Sequence, residues 1–294
     1  MEIGLTGASG FLGRAIIQKA AAQGHKIVGF SRRPTRSIPG CRRTELFSTT
    51  PHFNNLEAVI HLAGESIFGI WTASKRKRIF RSRIEGTRSV VKGIQGAPNP
   101  PKVLVCASAI GIYGDRGDEE LTERQTAAAG QFLSEVTTAW EAEANEVGAV
   151  GVRVVCVRTA MVLGRKGALA LMLPAFRAGL GGQLGDGDQW MSWIHIDDIA
   201  SIFLRAVTDE SLAGPINGAA PNPVRNSEFT KTLSAVLNKP SVFNVPSFLL
   251  RTLFLEESAI VLSSQRVIPE KLLASGFEFR FPSLRGALEE IIKG

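Results

Sequence analysis

The sequence predicts an α/β fold, a doubly wound parallel sheet with a smaller α-rich lobe built from the C-terminal part of the chain. Three observations carry this. Over residues 1–160 short apolar runs alternate with helical patterns, and strands separated by helices pair in parallel because same-direction strands need a crossover. The strand runs are nearly all apolar, as in Val103-Leu104-Val105-Cys106-Ala107, which suits a sheet covered on both faces. A glycine-rich turn joins the first strand to the first helix.

The elements follow in order. Residues 3–6 read as a strand and 11–23 as a helix with Phe11, Leu12, Ala15, Ile16 and Ala20 on one face. Strands are predicted at 26–31, 58–63, 102–108 and 152–158, with a short one at 44–47. Long helices are predicted at 72–94 and 132–147. After residue 165 the pattern changes: glycine-rich loops at 179–182 and 185–188, an extended stretch at 190–194 and a helix at 197–207. Short helices at 248–254, 269–275 and 283–292, with an extended 277–281, complete the lobe. The division expected is a nucleotide-binding core over 1–165. Residues 166–294 supply the remaining sheet elements and a substrate lobe, interleaved with no clean linker.

Composition narrows the function classes. The 294 residues are 44% hydrophobic and 21% charged, which excludes disorder and fibrous repeats. The run 248–262 is interrupted by Arg251, Glu256 and Glu257 and cannot span a bilayer. With no leader pattern at residues 1–5, a cytoplasmic protein is expected. Cys41, Cys106 and Cys156 have no paired spacing, and His25, His52, His61 and His195 are scattered, so neither disulfide nor metal is expected. The net charge of +7 is uneven, with a balance of +11 over residues 1–100 and −4 over the remainder. Such a field suits phosphates, of a nucleotide or of nucleic acid.

Thr6-Gly7-Ala8-Ser9-Gly10-Phe11-Leu12-Gly13 places G-x-x-G-x-x-G between a strand and a helix. Gly7 permits the tight turn, Gly10 lets the backbone approach a pyrophosphate, and Gly13 allows close helix–strand packing. The pyrophosphate then lies on the helix N-terminus, where free N–H groups favour an anion. The alternative is a bare tight turn, but strand, motif, helix and second strand all fall in place. A second strand ending in Asp or Glu would bind a ribose 2′-hydroxyl. This chain has Ser31, Arg32 and Arg33, with Arg36 beyond, and guanidinium groups suit a 2′-phosphate. The expected cofactor is NADP rather than NAD.

These residues resemble the extended short-chain dehydrogenase/reductase superfamily. Similar elements are His61-Leu62-Ala63-Gly64, Arg83-Ile84-Glu85-Gly86-Thr87, residues 108–114 (SAIGIYG) and Trp193-Ile194-His195-Ile196-Asp197-Asp198. Within it the chain looks most like the atypical, YfcH-like epimerase-family proteins. The run Leu62-Ala63-Gly64-Glu65, residues 164–198 and the end Gly276-Phe277-Glu278-Phe279-Arg280-Phe281-Pro282 carry that likeness. The resemblance implies a Rossmann core and NADP binding, with Leu62, Ala63 and Gly64 beside the cofactor and the backbone near Met161 flanking the nicotinamide. It implies no particular substrate. The superfamily's Tyr acid/base and the Lys four residues on align with Leu133 and Thr137, which cannot transfer protons at neutral pH. Its active-site Asn is replaced by Arg83.

The remaining chemistry falls on Ser108, Tyr113, Glu65 and Arg83. Tyr113 is the one tyrosine, on the loop after the fifth strand, either a proton donor or a loop-packing aromatic. The superfamily's Ser position falls on Ser108 or, counting back strictly from Tyr113-Gly114, on Ala109; Ser108 either polarises a carbonyl or bonds the backbone at a strand end. Glu65 is expected to reach the nicotinamide region, where burial raises a carboxyl pKa towards the range for proton transfer; the alternative is an ion pair with the basic helix. Of the cations at 75–88, most read as a solvated face, and Arg83 as a contact to cofactor or substrate. His195 reads as structural, with Asp197 or Asp198 as the cap of the next helix. Trp190, Trp193 and the glycine-rich loop are candidates for a pocket wall.

The function expected is an NADP-dependent oxidoreductase acting on a small polar or anionic carbonyl or alcohol. The alternatives are a non-catalytic NADP-binding redox sensor or scaffold, and a sugar-nucleotide epimerase. The expected partner is a small-molecule substrate, with a homodimer possible in principle. Neither nucleic acid nor membrane is expected; aromatic residues for stacking single strands are sparse.

Overall fold

The computed structural model describes residues 1–32, 37–241, 243–245 and 262–294. The predicted helix at 248–254 lies outside them, as do Arg33 and Arg36. A seven-stranded sheet has the order β12-β7-β5-β4-β1-β2-β3, from β1 (Glu2–Thr6), β2 (Lys26–Ser31), β3 (Arg43–Leu46), β4 (Ala58–His61), β5 (Val103–Ala109), β7 (Arg153–Thr159) and β12 (Gly214–Gly218). β6 is a two-residue strand elsewhere (Glu120–Leu121). The pairs β1–β2, β1–β4, β2–β3 and β4–β5 are all parallel. The chain winds outward from β1 to β3, then returns to place β4 on the other side of β1. Strand order therefore reverses between β1 and β4, and such a switch point opens a crevice at the carboxyl ends of the strands.

The chain divides into two compact units. The first comprises Met1–Ala109, Glu135–Arg158 and Ala200–Ile216. It carries α1 (Phe11–Ala22), α2 (Ala73–Gln95), most of α3 (Phe132–Asn145) and most of α5 (Ile196–Thr208). Its core joins Val59, Leu104 and Cys156 of the sheet to Val90, Val91 and Ile94 of α2 and to Trp140 of α3. The thiols of Cys106 and Cys156 are free and buried in it. The apolar strand runs thus meet helices, as parallel strands buried on both faces require.

Arg153 serves this unit differently. Its Nη1 donates to the carbonyls of Ala206 (2.9 Å) and Leu212 (2.7 Å), and Nη2 to that of Val207 (3.1 Å). The guanidinium closes the C-terminal end of α5, where carbonyls lack intrahelical donors and the dipole is negative. Arg153→Met is expected to cost about 1–2 kcal/mol, measured as a lower urea midpoint at unchanged slope.

The second unit comprises Ile110–Ser134, Thr159–Ile199 and Asn217–Gly294. Residues 110–134, early of the expected division at 165, group with it, and 200–216 group with the first. Beside β6 it holds β8 (Met161–Leu163), α4 (Ala168–Arg177), β9 (Gly182–Leu184), β10 (Trp190–Met191), β11 (Trp193–His195), β13 (Val224–Arg225), α6 (Asn226–Leu237), β14 (Phe243–Val245), β15 (Arg266–Val267), α7 (Glu270–Ala274) and α8 (Leu284–Lys293). Two-stranded ribbons pair β8 with β11, β10 with β13, β9 with β14 and β6 with β15. Trp193, Phe229, Leu233 and Leu288 centre its core.

Residues 277–281, expected to be extended, pair with no strand: Asp198 accepts the N–H groups of Arg280 (2.9 Å) and Phe281 (3.0 Å) in place of a ladder. One local expectation is corrected. Asp197 and Asp198 lie in the first turn of α5 and are not its cap. Among the described residues no helix is long and apolar enough to cross a membrane.

Candidate functional site

The glycine loop leaves β1 through Gly7, whose φ of +69° lies in the left-handed region. The N–H of Gly10 donates to the Gly7 carbonyl at 2.9 Å, closing the turn, and Gly10 caps α1 in an extended conformation. A Cβ on Gly13 would be driven into the Gly7 carbonyl oxygen and would lie 2.8 Å from Ala8 Cα. A Cβ on Gly7 would lie 3.0 Å from the Leu62 carbonyl carbon and 3.1 Å from Ala63 N. The three glycines therefore let α1 and the loop after β4 close around one turn. No side chain caps α1, and no acidic residue occupies its first turn. Ser9 is exposed and Phe11 and Leu12 are half-buried at this open helix end, where bare N–H groups attract phosphate.

A hydroxyl–imidazole chain locks the crevice. Thr6 Oγ1 accepts the N–H groups of Leu62 (3.1 Å) and Ala63 (3.2 Å), which uses both its lone pairs. Its single proton must then go to His61 Nδ1, 2.7 Å away. That fixes His61 as the neutral tautomer with the proton on Nε2, which donates to Thr87 Oγ1 at 3.2 Å. Burial pushes the His61 pKa down to about 4. The sequence offered His61 only as a scattered histidine; its place at the end of a buried strand was the available signal.

Beside the crevice, α2 holds the Gly64-Glu65 backbone. The Glu65 N–H donates to Ser82 Oγ (2.9 Å), and Arg83 Nη1 donates to the carbonyls of Glu65 (3.1 Å) and Ile79 (3.2 Å). The Arg83 guanidinium lies 5.1 Å over the Trp140 ring and against Gly64, where an added Cβ would meet it at 3.7 Å. Burial lowers its pKa to about 10. Among the described residues no carboxylate lies within ion-pair distance of it, and the nearby Glu65 charge offsets only part of the cost of burial.

Glu65 itself departs from expectation. Its carboxylate accepts from Lys75 Nζ at 2.9 Å and lies 3.5 Å from Arg78 Nε. The Lys75 hydrogen bond holds its pKa below the usual carboxylate value, opposite to the expected upward shift. The ion pair with the basic helix is what forms. Ser108 bonds neither backbone nor open space: its hydroxyl donates to Glu141 Oε1 at 2.6 Å. Arg158 grips the same carboxylate, Nε on Oε1 and Nη2 on Oε2, each at 2.9 Å. Sequence reasoning missed Glu141. Ser31 is half-buried at the end of β2, with Arg32 exposed beyond it.

Tyr113 belongs to the second unit, and the proton-donor expectation is corrected there. It is fully buried, and its hydroxyl donates to Asn217 Oδ1 at 2.7 Å. Met161 is half-buried on β8, and its N–H donates to the Ser192 carbonyl at 3.2 Å. His195 Nδ1 accepts from the Asp197 N–H, and Nε2 lies 3.0 Å from Glu290 Oε2, the structural role expected of it. Trp193 is a core residue, and Trp190 lies between the guanidinium groups of Arg225 (4.4 Å) and Arg266 (4.8 Å). A cavity of about 310 Å³ nearby is lined by Asp118, Asp186, Asp188 and Arg225.

A glycine-framed helix end at a switch point defines a nucleotide-binding α/β protein. Residues 3–217 match the NAD dependent epimerase/dehydratase family, and the chain belongs to it. Residues 245–291 match a domain of unknown function, DUF1731. Epimerase family protein YfhF of Bacillus subtilis is 37% identical over 99% of this chain and 98% of its own. Human epimerase family protein SDR39U1 is 37% identical over 99% of this chain and 100% of its own. The crystal structure of its isoform 2 with NADPH superposes at a TM-score of 0.92, with 33% identity and full coverage of both chains. UDP-N-acetylglucosamine 4-epimerase from Bacillus cereus shares the fold at a TM-score of 0.79 and 18% identity, covering 99% of this chain and 98% of its own.

Proposed function

We propose that the chain is an NADP-dependent oxidoreductase acting on a small polar or anionic carbonyl or alcohol compound. The observation that carries this is the uncapped N-terminus of α1, framed by glycines whose Cβ positions are occupied by backbone. Gly7, Ser9, Gly10, Phe11, Leu12 and Gly13 would hold the pyrophosphate, with Leu62, Ala63 and Gly64 alongside. Ser31, Arg32 and Arg33 would meet the 2′-phosphate. The bound nicotinamide supplies hydride exchange. Arg83 offers an anion contact beside Gly64, and Ser108 offers the polar group for a substrate oxygen. The NADPH in the crystal structure of human SDR39U1 supports the cofactor assignment.

One set of contacts favours the second reading, an NADP-binding sensor without turnover. Glu65 is ion-paired, Tyr113 is buried with its proton given away, and Leu133 and Thr137 stand at the Tyr and Lys positions. NADPH oxidation across a carbonyl library separates the two readings.

Calorimetric titration with NADPH and NADH at one ionic strength tests the shared premise. NADPH is expected to bind more tightly, and Arg32→Ala/Arg33→Ala to remove about 2 kcal/mol of that preference, roughly thirtyfold, since charge-assisted bonds to phosphate are lost. Equal affinities, or no binding of either, would sink the assignment.

A further inference from the structure

Residues 66–83 carry Lys75, Arg76, Lys77, Arg78, Arg81 and Arg83 and no carboxylate. The oxidoreductase reading uses only Arg83. Glu65 and Glu85, just beyond the two ends of the run, take up part of the charge: Glu65 from Lys75 and Arg78, and Glu85 from Arg81. Six cations against two carboxylates leave the stretch strongly positive. Lys77, Arg78 and Arg81 are exposed on α2. Phe80, 41% exposed, shares the outer face of that helix with Lys77, three residues before it.

The loop before α2 gives this face an apolar tip. Phe68 is 44% exposed and Ile70 76%. Between them Gly69 has a φ of +98°, and a Cβ there would meet nothing within 4 Å, so the chain turns in open space. The base of the turn is tied. Trp71 Nε1 donates to the Ile67 carbonyl at 2.8 Å, the Phe68 N–H to Ser66 Oγ at 3.2 Å and the Thr72 N–H to the Ile70 carbonyl at 3.1 Å. Thr72 then caps α2 by accepting the Lys75 N–H. The tip is thus held by its own hydrogen bonds with two large apolar side chains in water. A single exposed apolar residue needs no explanation, but Phe68, Ile70 and Phe80 stand together on a cationic surface.

A projecting apolar tip beside a broad positive face complements an apolar layer beneath a plane of negative charge. The half-buried indole of Trp71 at the base of the tip suits the boundary between the two. We propose that residues 66–72 and the outer face of α2 form a docking surface for an anionic phospholipid bilayer. Phe68 and Ile70 enter the acyl boundary, and Lys77, Arg78 and Arg81 meet the headgroups. A small apolar anchor holds only marginally by itself, so both signals are required. The expectation of no membrane concerns spanning segments, and a surface contact needs none. The docking surface is independent of the oxidoreductase reading.

Co-sedimentation of the full chain with extruded vesicles tests it. The chain is expected to pellet with phosphatidylcholine vesicles containing about one-third phosphatidylserine and to stay in solution with phosphatidylcholine alone. Phe68→Ser/Ile70→Ser is expected to weaken the partition about thirtyfold, and Lys77→Gln/Arg81→Gln about tenfold. Urea unfolding checks that both variants are folded. In Phe68→Trp, the added fluorescence is expected to be quenched when the vesicle lipids are brominated on their acyl chains, which requires insertion of the tip. Binding to neither vesicle, equal binding to both, or full binding by Phe68→Ser/Ile70→Ser overturns the proposal. Charge-dependent binding without quenching also overturns it and assigns the face to a soluble acidic partner.

Discussion

Gly13→Ala is expected to lower stability by about 3 kcal/mol, towards the upper end for overpacking, and to weaken NADPH binding by about a hundredfold. The added methyl would enter the Gly7 carbonyl oxygen and approach Ala8 Cα and Ala8 O at 2.8 Å each. All are backbone atoms, so no rotamer change relieves the contact; α1 must move away from the turn it closes. The turn in turn touches Leu62 and Ala63 through Gly7, so the displacement spreads to both sides of the crevice. Binding therefore suffers along with folding. Gly86→Ala is the matched control. A Cβ there, on α2, meets nothing within 4 Å, and the change is expected to be neutral or stabilising by about 0.5–1 kcal/mol. Urea unfolding and NADPH calorimetry on the two variants separate steric intrusion from the general effect of replacing glycine. Equal behaviour of Gly13→Ala and Gly86→Ala would remove the packing argument for the motif.

The glycine motif was legible because its requirement is local: backbone torsion and backbone approach, both fixed by spacing within eight residues. Strand and helix positions followed from periodicity for the same reason. The polar partners were not legible in this way. Ser108 and Glu141 are 33 residues apart, and their meeting depends on the phase of α3 against β5. A clue did exist in Arg158, since an arginine ending the buried run Val154–Val157 demands a carboxylate. Glu65 was misjudged for a related reason. The preceding run Leu62-Ala63-Gly64 set it beside the expected cofactor, suggesting burial, but Lys75 returns to it from the first turn of α2. Tyr113 shows the limit of placing chemistry by motif. It follows β5 closely in sequence, yet its hydroxyl is spent on Asn217, 104 residues away.

Stability is expected to fall by about 3 kcal/mol as pH drops from 6.5 to about 4 through His61 alone. The sign follows from the direction of the shift. Burial holds His61 at a pKa of about 4 in the folded chain, against 6.5 when exposed. Between those values the unfolded chain binds a proton that the folded one does not, so stability rises with pH across the window. Above pH 6.5 the full contribution is present; below about 4 it is gone. Each pH unit of difference is worth about 1.4 kcal/mol. The hydrogen bonds give the physical reason for resistance to protonation. Nδ1 already receives the Thr6 proton, and Thr6 cannot turn it elsewhere without abandoning the N–H groups of Leu62 and Ala63. Protonating His61 thus loosens the β4 loop that lies against Gly7. Acid should weaken NADPH binding over the same range, even where the chain remains folded. Other groups also titrate there, Glu65 among them, so the His61 part is isolated by difference. His61→Asn keeps an acceptor for Thr6 and has no ring to charge. Urea unfolding of both proteins at pH 7.5, 5.5 and 4.5 should show the wild-type curve falling towards that of the variant. Parallel pH profiles would mean that His61 charges freely in the folded chain, contrary to its closed hydrogen-bond chain.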